Sequence, residues 1–221
     1  MRRNERGSPK MLQFGYSAVE RALAAIYGAS ADAVRESAFR ARISSLQRLN
    51  ILGAEAHVGK GQRLTYGVPE IERLLCCLEL CELGISTTTV GKLVNSYWAD
   101  KFGPIFRAAQ KTVIRESSDD DVILVFFGIT LMSGNWSEGS GFPGVPNVNR
   151  CTLGKLPDRI KYWLATISNN AAELPPRVAA VNLSARLRQF HTALGEAHMA
   201  ELRIEFGGRT SATKSVARKH K

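Results

Sequence analysis

The chain is expected to adopt an α+β fold in two parts, and three observations predict it. Residues 39–86 read as an amphipathic helix, a short hairpin with a Gly59-Lys60-Gly61 tip, and a second amphipathic helix. Residues 1–67 carry eleven Lys/Arg against five Asp/Glu, a net of +6, whereas residues 68–118 balance and residues 119–206 net −1. Beyond residue 121 the apolar period changes from helical to strand-like, beginning with VILVFFGITL at 122–131. Helix, cationic hairpin, helix is the order of a winged helix-turn-helix, here followed by a small α/β module.

Each element has a local cause. Residues 1–16 are polar and basic and are expected to form a flexible N-terminus. A helix follows at 17–27, with Ser17 as N-cap and Gly28 closing it. After the turn GASAD a longer helix spans 33–50, with Phe39, Ile43, Leu46 and Leu49 on one stripe. Gly53 stops it, and AEAHV and QRLTY flank the glycine-rich tip as hairpin arms. Pro69 starts the next helix in its first turn, and that helix buries Ile71, Leu74, Leu75 and Leu78 before ending at Gly84. Ser86 caps a further helix, which resumes after Gly103-Pro104 as IFRAAQKTVI. The winged domain with these trailing helices occupies 17–116.

Residues 117–121 (SSDDD) read as a solvated linker and the domain boundary. A dimerisation or sensing module is expected over 122–206. It comprises a buried strand at 122–131, a partner strand at 147–153, a helix built on Leu156, Ile160, Trp163, Leu164 and Ile167, a second buried strand at 178–181, and a helix burying Leu183, Leu187, Phe190 and Leu194. The loop 133–147 holds four glycines and two prolines and displays Trp136 and Phe142, whose rings either tuck over the sheet or meet a partner. Residues 207–221 carry five Lys/Arg and no acid, and are expected to be a disordered basic tail.

The charge pattern points to a polyanion at the N-terminal end. On the 33–50 helix, Arg40, Ser44, Gln47 and Arg48 lie opposite the apolar stripe, with Arg42 flanking them. Arginine can bond both acceptors of guanine in the major groove, and serine and glutamine add adaptable contacts. Lys60, Arg63 and Tyr66 on the hairpin are placed to anchor on phosphates. The predicted partner is double-stranded DNA, read sequence-specifically by a transcriptional regulator.

Other classes are disfavoured. The apolar run 122–131 is about half a membrane span and no export signal is seen, so a cytoplasmic protein without a membrane is expected. Of four cysteines, Cys76, Cys77 and Cys81 share one helix with apolar neighbours and read as core thiols, not as a metal or redox site. His191 and His198 read as surface or half-buried side chains. No nucleophile, base and carboxylate share a catalytic spacing, so neither enzyme activity, cofactor nor metal is expected. The alternative reading is a protein–protein adaptor, such as a prophage or partition accessory factor, using the winged fold as a docking surface.

The stretch RISSLQRLNILG, followed by GKGQRLTYGVPEIERL and ELGIS, resembles the DNA-binding domain of MerR-type regulators over residues 17–98. In that family a Leu-Gly-Leu-Leu-like helix end precedes a Gly-x-Arg-Leu-x-Tyr-like wing and a helix with a Glu-x-x-Arg-Leu-like start. The resemblance implies backbone contact by Arg63, with Tyr66 matching the wing pattern. Ser44 and Leu46 stand where the family usually has a phosphate-contacting arginine and a tyrosine, so Arg40, Arg42 and Arg48 would have to compensate. It also implies a homodimer, though Gly103-Pro104 interrupts the segment where the family's long coiled-coil helix would lie. A small-molecule or protein effector is expected at the C-terminal module.

Overall fold

The computed structural model describes residues 13–52, 65–113, 118–127, 148–170, 178–196 and 198–200. These residues form helices around two small antiparallel sheets, an α+β arrangement. Residues 53–64, which include the expected Gly59-Lys60-Gly61 hairpin tip, the Trp136/Phe142 loop and the basic tail lie outside the described residues.

Order begins before residue 17. Strand β1 (Gln13–Gly15) runs straight into α1 (Tyr16–Ile26), so Ser17 sits inside the first turn and Gly15 takes the cap position without a side-chain bond. Gly28, at φ 63, lets the chain leave α1 through the left-handed region. A short 3-10 turn leads to α2 (Ala33–Arg48), which Asp32 caps by accepting a hydrogen bond from the Arg35 N–H at 2.8 Å. Strand β2 (Thr65–Gly67) pairs antiparallel with β1, placing Phe14 opposite Tyr66.

Helix α3 (Val68–Glu82) starts on Pro69 and is followed by Gly84 at φ 86. It is buried over most of its surface, and two of its charged residues, Glu72 and Glu79, are buried with it. Cys76 and Cys77 lie wholly inside it, and burial pushes both thiols well above their usual pKa. All four cysteines are free. Replacing Cys77 with Ala is expected to cost about 1 kcal/mol of stability in urea titration. A purified sample that held stoichiometric zinc and lost it on that substitution would refute the packing role.

Ser86 caps α4 (Thr87–Tyr97) by accepting the Thr89 N–H at 3.3 Å. The chain then continues through a π-helical turn, Trp98–Phe102, into α5 (Gly103–Gln110). A Cβ at Gly103 would lie 2.8 Å from the Trp98 carbonyl oxygen, so the glycine permits the wide turn to close. Gly103-Pro104 thus opens α5 directly after the π-helical turn, with no loop between the helices.

In the second sheet β3 (Val122–Phe127) lies between β4 (Val148–Thr152) and β5 (Val178–Asn182), antiparallel to both. Helix α6 (Leu156–Asn170) joins the two outer strands, and α7 (Leu183–Leu194) follows β5. Alternation along β3 divides two clusters. Val122 and Leu124 join the main core with α5 and α7, whereas Ile123 and Val125 pack with Leu153, Leu156 and Val178 on the other face.

The acidic segment before β3 is only partly the solvated linker its composition suggested. Asp119 and Asp120 are exposed, but Asp121 is buried. Its carboxylate accepts hydrogen bonds from both terminal nitrogens of Arg188, one at 2.8 Å, and from Asn182 Nδ2 at 3.1 Å. Burial raises the Asp121 pKa, yet the Arg188 and Asn182 hydrogen bonds and the Arg188 charge outweigh it and hold the carboxyl below its usual range. The core is also continuous across this segment. Leu183, Leu187 and Phe190 of α7 share one cluster with Val19 and Leu23 of α1. Arg186 stacks on Tyr27 at 4.9 Å and pairs with buried Glu79 at 2.5 Å.

The histidines differ from expectation as well. Both His191 and His198 are buried, with His191 Nδ1 2.9 Å from His198 Nε2 and His191 Nε2 3.1 Å from the Gln110 amide. Both ring nitrogens of His191 and the Nε2 of His198 thus have polar partners, which offsets the cost of burying them. Among the described residues no helix is long and apolar enough to cross a membrane, and no group of three or more His, Cys, Asp or Glu is placed to hold a metal.

Candidate nucleic-acid interface

The site is built on α2. Phe39, Ile43 and Leu46 are buried, and this stripe seats the helix on the core. Its C-terminal end is held from three directions. Asn50 turns the chain at φ 56, Asn95 Nδ2 donates to the Leu49 carbonyl at 3.1 Å, and Arg73 donates to the Ile51 carbonyl at 3.2 Å. Helix α4 reaches this end because Gly91 faces Leu49; a Cβ there would lie 2.9 Å from Leu49 Cδ1. Anchoring at both ends fixes which face points outward.

That outward face is made mostly of small side chains. Val34, Ser37, Ala38, Ala41 and Arg48 are exposed, Ser44 and Ser45 are half-buried, and Val34 is 79% exposed. Arginines stand on its flanks and at its end. Arg40 pairs with Glu20 at 2.9 Å and with Glu36 at 2.7 Å. Arg42 pairs with Glu82 at 2.6 Å. Arg48 is exposed and makes only a 3.3 Å bond to the Ser44 carbonyl one turn back. Of the three, Arg48 therefore presents the least compensated charge. The Arg40–Glu36 and Arg42–Glu82 pairs are exposed, and such pairs contribute only about 0–1 kcal/mol, so Arg42 can exchange its carboxylate for a phosphate at small cost, whereas Arg40 is held more firmly by the mostly buried Glu20.

Two expected contacts belong to the fold instead. Tyr66 is 1% exposed, with its ring stacked 6.0 Å from Tyr16, and its hydroxyl accepts a hydrogen bond from Gln47 Nε2. Burial pushes its phenol pKa far up, against a smaller opposing effect of the Gln47 bond. A phenol so placed cannot touch DNA, and Gln47 is committed to it. The pair ties α2 to β2 and sets where the chain leaves and re-enters the 53–64 segment. Lys60 and Arg63 fall within that segment, outside the described residues.

Sequence reasoning thus found the helix and its cations but missed their counter-charges. Glu20 and Glu82 lie on α1 and α3, distant in sequence, and no local signal pairs them with Arg40 and Arg42. The exposed run of small residues repeats at helical spacing, but apart from Ser44 nothing in their chemistry marks them as a site. No protein-family model, curated protein or solved structure matches this chain.

Proposed function

We propose that the chain is a double-stranded-DNA-binding transcriptional regulator whose α2 enters the major groove, with segment 53–64 as the wing of a winged helix-turn-helix. The observation carrying this reading is the outward face of α2. Its small side chains let the helix backbone come close to base edges, while Arg40, Arg42 and Arg48 stand where flanking phosphates would lie. The net +6 of residues 1–67 supplies sequence-independent attraction. Arg48 is assigned to base or adjacent phosphate contact, Arg40 and Arg42 to backbone, and Lys60 and Arg63 to the wing. The likeness to MerR-type regulators fits this arrangement and carries with it a homodimer.

The test is enrichment of genomic fragments by the purified full chain, followed by anisotropy titrations on the best and scrambled duplexes. Arg48→Ala is expected to weaken the best site by about 1–3 kcal/mol and scrambled DNA much less. Equal losses on both would show that α2 does not read bases.

A second reading has its own observation. Exposed Val34 beside Ser37, Ala38 and Ala41 is also a surface onto which a partner helix could pack closely, and Arg40 and Arg42 are already neutralised. This adaptor reading gains if no fragment is enriched and if Ala41→Glu, but not Arg48→Ala, abolishes capture of a partner protein.

A further inference from the structure

A second cationic surface lies away from α2. Helix α5 and the turn after it face strand β4 and the start of α6 across an open cleft of about 690 Å³. Arg107 and Lys111 line one wall, and Arg150, Lys155 and Arg159 line the other, with Asp120 at the rim. Five cations thus line the cleft with one carboxylate, and Arg107 also acts on the Glu72 carboxyl of α3 behind it. Val122, Pro104 and Ala108 supply the apolar part of the lining.

Several arginines elsewhere find carboxylates: Arg40, Arg42, Arg186 and Arg188 are all ion-paired. Among the described residues none of the five cleft cations forms such a pair. Bringing like charges together from α5, β4, the 3-10 turn at Leu153–Lys155 and α6 raises the free energy of the empty protein, and a bound anion removes that repulsion. The cleft volume falls in the range of small-molecule sites, about 300–1,000 Å³. A concave site favours a compact anion over a duplex, whose phosphates spread along a convex surface. Three guanidinium forks suit phosphate oxygens, which they can bind two at a time.

We propose that this cleft binds a compact polyphosphate group, the di- or triphosphate of a small ligand, gripped between Arg107 and Lys111 on one side and Arg150, Lys155 and Arg159 on the other. Opposite walls belong to different elements, so the ligand would clamp α5 to the sheet. This site is independent of the DNA reading, because no cleft residue lies on α2 or the wing.

Cys151 offers a probe that needs no knowledge of the natural ligand. It lines the cleft and is half-buried, whereas Cys76 and Cys77 are buried and half-buried Cys81 lies on α3, away from it. The experiment titrates the full chain calorimetrically with inorganic pyrophosphate, tripolyphosphate and a nucleoside triphosphate. Metal-free buffer of constant ionic strength is used, with sulfate as the control. Saturable binding of pyrophosphate or tripolyphosphate is expected, and it should slow alkylation of Cys151 but not of Cys81. Arg150→Gln with Arg159→Gln should weaken it at least about ten-fold, whereas Lys161→Gln on the exposed face of α6 should not. Lys155→Gln, on an exposed turn, provides a second variant should the double one misfold. Tighter binding of the nucleoside triphosphate than of tripolyphosphate would extend the site to a nucleotide. Absence of saturable binding, equal weakening by Lys161→Gln, or unchanged Cys151 alkylation would overturn the proposal. So would loss of duplex affinity in the double variant without pyrophosphate binding by the parent, which would make the cleft a DNA-backbone contact. Failure of the Arg48 test with retained pyrophosphate binding would remove only the DNA reading.

Discussion

Asp121→Ala is expected to lower the unfolding free energy by about 3 kcal/mol, the low end for breaking a buried ion pair, because the Arg188 left behind is part exposed. The loss has three routes. Arg188 loses both its partners' oxygens, Asn182 loses its acceptor, and a void opens beneath the turn that leads into β3. Asn182 also caps α7, its Oδ1 accepting the Ala185 N–H at 2.8 Å, so the damage reaches that helix. Urea titration at pH 7 measures it. Asp119→Ala, on an exposed neighbour, should change stability by less than about 0.5 kcal/mol. Equal effects of the two substitutions would mean that the acidic run acts as a solvated linker after all.

The second large effect is on pH dependence. Burial pulls the His191 pKa down to about 3 from 6.5, with His198 adding to the fall. Burial pushes the Glu72 carboxyl up to about 7 from 4.5, Arg107 opposing and Glu70 assisting. Between pH 4.5 and 6.5 the unfolded chain therefore binds a proton on its histidine that the folded chain refuses. Over the same interval the folded chain holds a proton on Glu72 that the unfolded chain releases. The His191 contribution to stability is present above pH 6.5 and falls as pH drops. The Glu72 contribution is present below pH 4.5 and falls as pH rises through 7. The two slopes have opposite sign and nearly cancel where they overlap. Glu72→Gln is expected to unmask the histidine, so that stability relative to the parent declines with acidification by up to about 1.4 kcal/mol per pH unit. His191→Gln should show the opposite trend, its stability relative to the parent declining as pH rises from about 3 to 6.5. Urea midpoints at half-unit steps of pH decide the matter. A Glu72→Gln curve parallel to that of the parent would show that Glu72 stays ionised throughout.

What could be read from the sequence was what neighbouring residues decide. Gly28, Pro69, Gly84 and Ser86 act through the backbone beside them, and each punctuates its helix as expected. The stripe Phe39, Ile43, Leu46 repeats at helical spacing and is buried, and the strands at 122 and 178 follow from runs of apolar residues. What failed depended on partners far along the chain. Asp121 resembles Asp119 and Asp120 in every local respect and differs only because Arg188, 67 positions later, meets it. His191 is buried because Gln110, 81 positions earlier, and His198 receive its nitrogens. Tyr66 matches a wing pattern, yet Gln47 and Tyr16 draw it inward. In the candidate site the positions of the cations could be foreseen, but not which of them keep a free charge.

The packing of α7 on α1 bears on how the protein is made. The guanidinium of Arg186 reaches the Ile26 carbonyl across a sequence separation of 160 residues. At roughly 5–20 residues per second, α1 leaves the ribosome on the order of 10–30 s before the helix that covers it exists. Throughout that interval the apolar face formed by Val19 and Leu23 lacks Leu187 and Phe190. The nascent N-terminal half therefore carries an uncovered apolar face until α7 emerges, and a chain truncated near residue 118 is expected to keep that face exposed and to self-associate.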